Sequence, residues 1–370
     1  MVTSALAVAS FVYGLSMPLM SLVLTGQGVS STMIGLSAAA QALAIFIVAP
    51  FVTRLINAWG AARAMFHSII ATALVFLLLA AFPNVYAWFP LRIALGISTS
   101  IIWIGGEAWV NYAVDESRRG RVIGMYTMAL AGGFALGPFV LSLTGTEGWT
   151  PFVVSALVTA LGALPLLPAL DAGPALEGEP STGLGRFVML APLVMLTYLV
   201  FSATDATMLT FLSPYAIEAG LTESQAVNLL TALAVGGMVF IVPIGWLADH
   251  TDRFMLIAAA LSGMLIGTLL LPVLVAVPVW NNVLMFFLGG FFAVLYTVPL
   301  VLLGQQFRGP DLAAASTVYS IMFSMGSVAG PVIGGVAIER FGQGGMPAVL
   351  AVMFLVLLPL PFAARKSTAV

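Results

Sequence analysis

Apolar stretches of about twenty residues, separated by short polar breaks, recur along the whole chain. Their limits fall near 3–24, 32–53, 63–82, 87–109, 121–143 and 151–170, then 192–214, 224–247, 254–275, 282–304, 313–338 and 346–363. A helix rises ~1.5 Å per residue, so about twenty residues cross a hydrocarbon layer ~30 Å thick. The exception is a polar stretch, Asp171 to Arg186, rich in Gly, Pro and Glu, which parts the run into six and six. The pattern predicts an all-α membrane protein with twelve transmembrane helices. An N-terminal six-helix bundle occupies 1–170, a cytoplasmic linker 171–186, and a C-terminal six-helix bundle 187–370. The first stretch lacks a basic leader and a cleavage site, so it is read as a retained span rather than a signal peptide.

Composition agrees with that pattern. Hydrophobic residues make up 61% of the chain and charged residues 7%, against roughly 25% charged in a soluble domain. So few charges cannot face water, and the surface must face lipid. The net charge of −2 leaves no nucleic-acid footprint. With no cysteine, thiolate metal sites and cysteine nucleophiles are excluded, and His67 and His250 stand too far apart in sequence to suggest a metal centre. The only lysine is Lys366, in the C-terminal tail, so none is buried to carry a retinal Schiff base. No phosphate-binding G-x-x-x-x-G-K-[ST] loop is present, so energy should come from an ion gradient rather than from ATP. Neither cofactor nor metal is expected.

Orientation follows from the basic residues. With the N-terminus inside, the cytoplasmic side receives Arg54, Arg63, Arg118, Arg119, Arg121, Arg186, Arg253, Arg308, Arg365 and Lys366, and the other side only Arg340. Both termini should be cytoplasmic.

The two halves repeat each other. Gly133-Phe134-Ala135-Leu136-Gly137-Pro138 matches Gly326-Ser327-Val328-Ala329-Gly330-Pro331 at an offset of 193. The loop Leu55 to Gly60 aligns with Leu247 to Asp252, and Gly28-Val29-Ser30 with Gly220-Leu221-Thr222, both at 192. Three anchors at nearly one offset indicate a duplicated six-span unit.

These motifs give the chain its resemblance. Gly326-x-x-x-Gly330-Pro331-x-x-Gly334-Gly335 resembles the antiporter pattern of the major facilitator superfamily. The fifth span keeps Gly133, Gly137 and Pro138 but carries Leu141 and Ser142 at the last two positions. Arg92-x-x-x-Gly96 is similar to the family's arginine motif in span four. Gly245-x-Leu247-Ala248-Asp249, with Arg253 beyond, resembles its loop signature G-x-L-A-D-R-x-G-R-R. The first copy of that loop departs from it, with Thr53 for Gly and Asn57 for Asp. Glu107-Ala108-Trp109-Val110-Asn111, followed by Arg119-Gly120-Arg121, is similar to the YcaD-like bacterial branch. The resemblance implies a bacterial inner-membrane transporter of the drug:proton antiporter type. It would act as a monomer whose partners are the bilayer, a small-molecule substrate and protons. It also implies that spans 1, 4, 7 and 10 line a central cavity.

Asp205 is the first candidate for coupling. Its repeat partner is Tyr13, near the middle of span one. A carboxylate at that depth costs a few kcal/mol, a cost that taking up a proton removes. Arg92 lies about one turn into span four, and two readings stay open there. One is a cavity cation that holds an anion or acts on a carboxylate; the other is a side chain snorkelling to the interface. Glu107, fifteen residues on, stands roughly 22 Å from it along a straight helix. It is read with Arg119 and Arg121 as part of a cytoplasmic gate, to which Gly245, Asp249 and Arg253 add a loop latch. Asp311 is expected to cap its helix. Tyr13, Gln41, Trp103, Tyr198, Tyr296 and Tyr319 are candidates for cavity lining, and Trp88 and Trp280 for interfacial anchors.

The expected function is proton-coupled export of a small hydrophobic or amphipathic compound by alternating access. The alternatives are a proton symporter importing a sugar or organic acid, and a non-transporting scaffold or receptor. An intramembrane enzyme is set aside: Gly96-Ile97-Ser98 resembles a rhomboid-type start, but no histidine lies mid-span to serve Ser98.

Overall fold

A computed structural model of the chain describes residues 2–113, 119–170 and 185–368. Among them there are helices and no strands. The first six spans are α1 (Val2–Gly26), α2 (Ser31–Trp59), α3 (Ala61–Ala81), α4 (Val85–Ala113), α5 (Arg119–Thr144) and α6 (Thr150–Leu161) with a 3₁₀ extension, Leu164–Ala169. A short α7 (Arg186–Leu190) precedes α8 (Pro192–Glu218), α9 (Glu223–His250), α10 (Arg253–Leu274), α11 (Trp280–Gln306) and α12 (Gly309–Phe341). The last span is α13 (Gly345–Leu357) continued by α14 (Pro359–Thr368). Twelve of these segments are long and apolar enough to cross a membrane, the number the hydrophobic pattern predicts.

The two interrupted spans have a common cause. Pro165 and Pro168 lie in the extension of the sixth span, and Pro359 and Pro361 in that of the twelfth. A proline donates no backbone hydrogen bond, and two of them within four residues leave too few bonds to carry the helix through unchanged. The junction at 272–282, where the polar break in the pattern is weakest, resolves into two helices with a turn from Val275 to Val279. Most of the polar stretch 171–186 lies outside the described residues.

The chain gathers into two compact units. Unit 1 comprises Met1–Val29, Leu36–Glu179 and Glu223–Val227; unit 2 comprises Ser30–Gly35, Pro180–Thr222 and Asn228–Val370. Inside each unit the same glycines make the same close approaches. In unit 1, a Cβ on Gly133 would collide with the carbonyl of Ala7, and one on Gly137 would stand 2.9 Å from that of Phe11. In unit 2, Gly326 lies against the carbonyl of Leu199 and Gly330 against that of Ala203. Ala7 and Phe11 are the repeat partners of Leu199 and Ala203 at offset 192, as Gly133 and Gly137 are of Gly326 and Gly330 at 193. A second pair agrees: Gly96 of α4 backs onto the carbonyl of Gln41 in α2, and Gly289 of α11 onto that of Leu233 in α9. The duplication read from three short motifs is therefore a duplication of helix packing, held by small residues where lipid supplies no hydrophobic drive.

Two side chains expected at other places lie elsewhere. Trp88 is 0% exposed, donates its Nε1–H to the carbonyl of Leu79 at 3.1 Å, and meets Phe152 edge-on. It is a core residue rather than an interfacial anchor. Trp280 is exposed. Asp311 does not cap α12: the cap position belongs to Arg308, and Asp311 accepts a hydrogen bond from Arg186 Nη2 at 2.8 Å. The acid that does cap is Asp252, which accepts from the backbone N–H groups of Phe254 and Met255 and from Arg365 Nε at 2.7 Å.

Val279 is the one described non-glycine residue with a positive φ, 69°. With ψ at −50° it takes a rare, strained γ-turn geometry that a β-branched side chain makes worse. Val279→Gly is expected to raise stability by about 1 kcal/mol, read as a higher Tm of the purified protein in detergent. An unchanged or lower Tm would mean that the turn stores no releasable strain.

Candidate functional site

Within unit 2, three helices bring six aromatic rings together. On α8, Tyr198, Phe201 and Asp205 follow one another at spacings of three and four, so all three share a face. On α11, Phe292 and Tyr296 are one turn apart, and on α12 so are Tyr319 and Phe323. The Tyr198 and Tyr319 rings stack with centroids 3.6 Å apart and planes 6° from parallel. Phe323 lies 5.3 Å from Tyr198. Phe201 meets Phe292 at 5.5 Å and Tyr296 at 5.7 Å. Tyr319 Oη donates to the carbonyl of Tyr296 at 3.3 Å. Tyr296 is 38% exposed while Tyr198, Tyr319 and Phe292 are buried, so the cluster opens along one edge.

The packing of α12 on α8 through Gly326 and Gly330 sets the register that lets Tyr198 and Tyr319 stack. Asp205 continues the ring-bearing face of α8 by one turn, is buried, and sits halfway along a span. The neighbouring hydroxyls of Thr204 and Thr207 are committed to carbonyls of their own helix, at 2.8 Å and 2.7 Å. Among the described residues no group of three or more metal-ligating side chains gathers. What the cluster offers at its open edge is the polarisable ring of Tyr296, on a layer of buried rings that shares its α8 face with Asp205. Such a surface suits a ring-bearing or cationic solute through stacking and cation–π attraction.

The repeat shows that the cluster is no requirement of the scaffold. The partners of Tyr198, Phe201, Phe292 and Phe323 are Leu6, Ala9, Thr99 and Leu130; only Tyr296 and Tyr319 have aromatic partners, Trp103 and Tyr126. Sequence reading names Tyr198, Tyr296 and Tyr319 singly and misses Phe201, Phe292 and Phe323. A position-by-position comparison of the two halves carries the signal that finds them.

The remaining candidates are dispersed. In unit 1, Tyr13 faces Phe134 with ring centroids 6.2 Å apart, Gln41 donates to Ser16 Oγ at 3.4 Å, and Trp103 is half-buried. Arg92 is 0% exposed, which removes the snorkelling reading. Ser98 donates to the carbonyl of Ala94, a bond internal to its helix. Asp249 and Arg253 pair at 3.6 Å across one turn at the α9–α10 junction, and Arg253 also donates to Gln305 at 3.2 Å. Gly245 has open space where a Cβ would stand. Glu107 is exposed, while the side chains of Arg119 and Arg121, its expected gate partners, lie outside the described residues. Pro138 and Pro331 both lie inside unbroken helices. Gly334 and Gly335 continue the glycine face of α12, Gly334 against Thr207 and Gly335 against the carbonyl of Ser31.

Known proteins resemble this chain along its length. The family model described as "Major Facilitator Superfamily" matches residues 2–287 and again 190–369. YfkF of Bacillus subtilis, an uncharacterized MFS-type transporter, is 24% identical over 355 residues, covering 92% of this chain and 88% of its own. YcaD of Escherichia fergusonii, also an uncharacterized MFS-type transporter, is 23% identical over 288 residues, covering 76% and 74%. Among solved structures, a point mutant of the nucleoside transporter NupG superposes with a TM-score of 0.81 at 15% identity, over 98% of this chain and 99% of that one. That likeness concerns the fold.

Proposed function

This chain belongs to the Major Facilitator Superfamily, and on that premise we propose that it exports a small ring-bearing amphipathic solute in exchange for protons. As a multi-pass membrane transporter it is not an enzyme. It works by alternating access in the bacterial inner membrane, with both termini cytoplasmic. The ten-to-one arginine and lysine bias supports that orientation. The complete Gly-Pro pattern of α12 supports antiport by resemblance.

One observation carries the choice of solute: the six-ring cluster of unit 2, with Asp205 in register on the same helix face. A stacked aromatic pair contributes ~0.5–1.5 kcal/mol beyond its buried area, and a desolvated cation over a ring about 2 kcal/mol. Asp205 supplies the exchange. Protonated, it is neutral and tolerated at mid-membrane; ionised, it is balanced by a solute carrying positive or strongly polar groups. Proton and solute therefore compete for one face of α8.

The test is proton release from the purified, detergent-solubilised protein in weak buffer. Hydrophobic cations and nucleosides form the ring-bearing panel, with sugars and aliphatic acids as the contrast. Ring-bearing compounds are expected to release protons, and Tyr198→Leu to weaken their apparent affinity about tenfold, the equivalent of 1.4 kcal/mol. Release by sugars or aliphatic acids alone would overturn the choice of solute. No release by any compound would overturn proton exchange.

A further inference from the structure

Arg92 is wholly buried, and none of its Nε, Nη1 and Nη2 atoms has a hydrogen-bond partner among the described residues. Arginine does not shed its charge in a protein, so this guanidinium is desolvated without compensation. The chain offers little to balance it from within unit 1. Residues 1–106 contain no aspartate or glutamate, and Glu107 stands roughly 22 Å away along α4; of the other described acids of unit 1, Glu147 is exposed and Glu223 accepts from Thr146.

The groups level with Arg92 are in the same condition. Because Gly96 backs onto the carbonyl of Gln41, and α2 and α4 run in the same direction, Arg92 and Ser37 stand together one turn nearer the helix starts. The bond between Gln41 and Ser16 fixes the register of α1, which brings Ser21 to about that level. Ser21 Oγ, Ser37 Oγ and Gln41 Oε1 are all buried and all lack a partner among the described residues. Other buried hydroxyls of unit 1 bond back to their own helix, as Thr72, Thr99 and Ser155 do, with Thr159 on α6 a further unpartnered one.

The repeat supplies an independent sign that this polarity is not scaffold. The partners of Arg92, Ser37, Gln41 and Ser16 are Met285, Leu229, Leu233 and Met208, four buried apolar residues in unit 2, whereas Ser21 is matched by the buried Ser213. At Arg92, Ser37 and Gln41 the same helix packing is thus made from hydrocarbon in one half and from polar groups in the other; Ser21 is a serine in both.

We propose that Arg92, Ser21, Ser37 and Gln41 form a buried anion site in unit 1 that takes a small monocarboxylate. The guanidinium fork matches the two oxygens of a carboxylate, and one fixed positive charge with no lysine nearby suits a monoanion rather than a phosphate dianion. The serine hydroxyls donate to the same oxygens. Gln41 Oε1 only accepts, and it lies about one helical turn, ~6 Å, deeper. The carboxylate therefore carries a hydrogen-bond donor at its far end. Full burial of Arg92 means that the ligand enters when the helices around it part. The site is independent of the ring cluster in unit 2 and does not rest on the solute proposed for it.

Thermal unfolding of the purified full-length protein tests this with para-hydroxybenzoate, benzoate, chloride and inorganic phosphate as sodium salts. Para-hydroxybenzoate is expected to raise the Tm of the wild type by about 3 °C or more at saturation. Benzoate, which lacks the distal donor, should bind about tenfold more weakly, and Gln41→Leu should abolish that difference. Arg92→Met installs the residue found at the repeat position, so it should fold, be at least as stable without ligand, and lose the response. Tyr198→Leu and Asp205→Asn should keep the response, which separates this site from the one in unit 2. Chloride or phosphate matching para-hydroxybenzoate would overturn the carboxylate. A response retained in Arg92→Met would overturn the site. A marked loss of ligand-free stability in Arg92→Met would show that the guanidinium has a protein partner, and would overturn it too.

Discussion

Gly133→Ala and Gly132→Ala are expected to move stability in opposite directions, although the two glycines are neighbours on one helix. A Cβ at Gly133 would collide with the backbone of Ala7, whereas one at Gly132 meets nothing within 4 Å. The obstacle at Gly133 is a carbonyl group inside another helix, not the end of a flexible side chain. It can yield only if α1 and α5 separate. Overpacking of this kind costs ~1–3 kcal/mol, and the upper end is expected because the separation also weakens the contact at Gly137. Gly132→Ala brings no such collision and replaces a poor helix former, a gain of about 0.5–1 kcal/mol. Gly330→Ala should repeat the loss in unit 2, since the carbonyl of Ala203 stands where that of Phe11 stands in unit 1. Unfolding of the four proteins in detergent measures all three differences. Equal effects at Gly132 and Gly133 would mean that the α1–α5 interface is not the close contact described.

These contacts also show where sequence reading succeeds and where it stops. Lipid demands apolar runs of one length with every backbone bond internal, so the twelve spans are written almost one-dimensionally. Glycine spacing on α5 and α12 is written the same way, because close helix approach admits so few residue types. Depth and neighbours are not. Arg92 and Trp88 lie within two turns of the start of α4, where a lone helix lets both reach the interface. They are buried because α4 packs against α2 at Gly96 and against Phe152 of α6 at Trp88, contacts that join residues 55 and 64 positions apart. Asp311 fails as a cap for a similar reason: its position in the first turn is right, but Arg186, 125 residues earlier, claims the carboxylate. The ring cluster lies between these cases. Its tyrosines are visible one by one, and its phenylalanines look like ordinary lipid-facing residues until each is set beside its counterpart in the other half. A duplicated scaffold contains its own control: where the halves agree the residues hold helices together, and where they differ a position has been released for something else.

Asp205 is the sharpest such difference on the proposed transport path, and its replacement has the largest expected functional effect. Asparagine keeps the shape of the side chain and its capacity for hydrogen bonds but takes up no proton in the physiological range. With the purified protein in liposomes and one pH unit across the membrane, exchange of one proton for one solute molecule sustains an accumulation of about tenfold, since one pH unit is worth about 1.36 kcal/mol. The sign is fixed by antiport. Protons run from the acidic to the alkaline side, so solute gathers on the acidic side. Asp205→Asn should bring that ratio to unity while solute still exchanges for solute at equal pH, because linkage between proton and solute is lost and the solute site is kept. Accumulation on the alkaline side by the wild type would mean symport. Undiminished accumulation by the variant would place proton uptake elsewhere and leave Asp205 as a buried acid that joins helices. If exchange at equal pH were lost as well, the contact of Asp205 with the solute would carry most of the binding, and the ring cluster alone would not make the site.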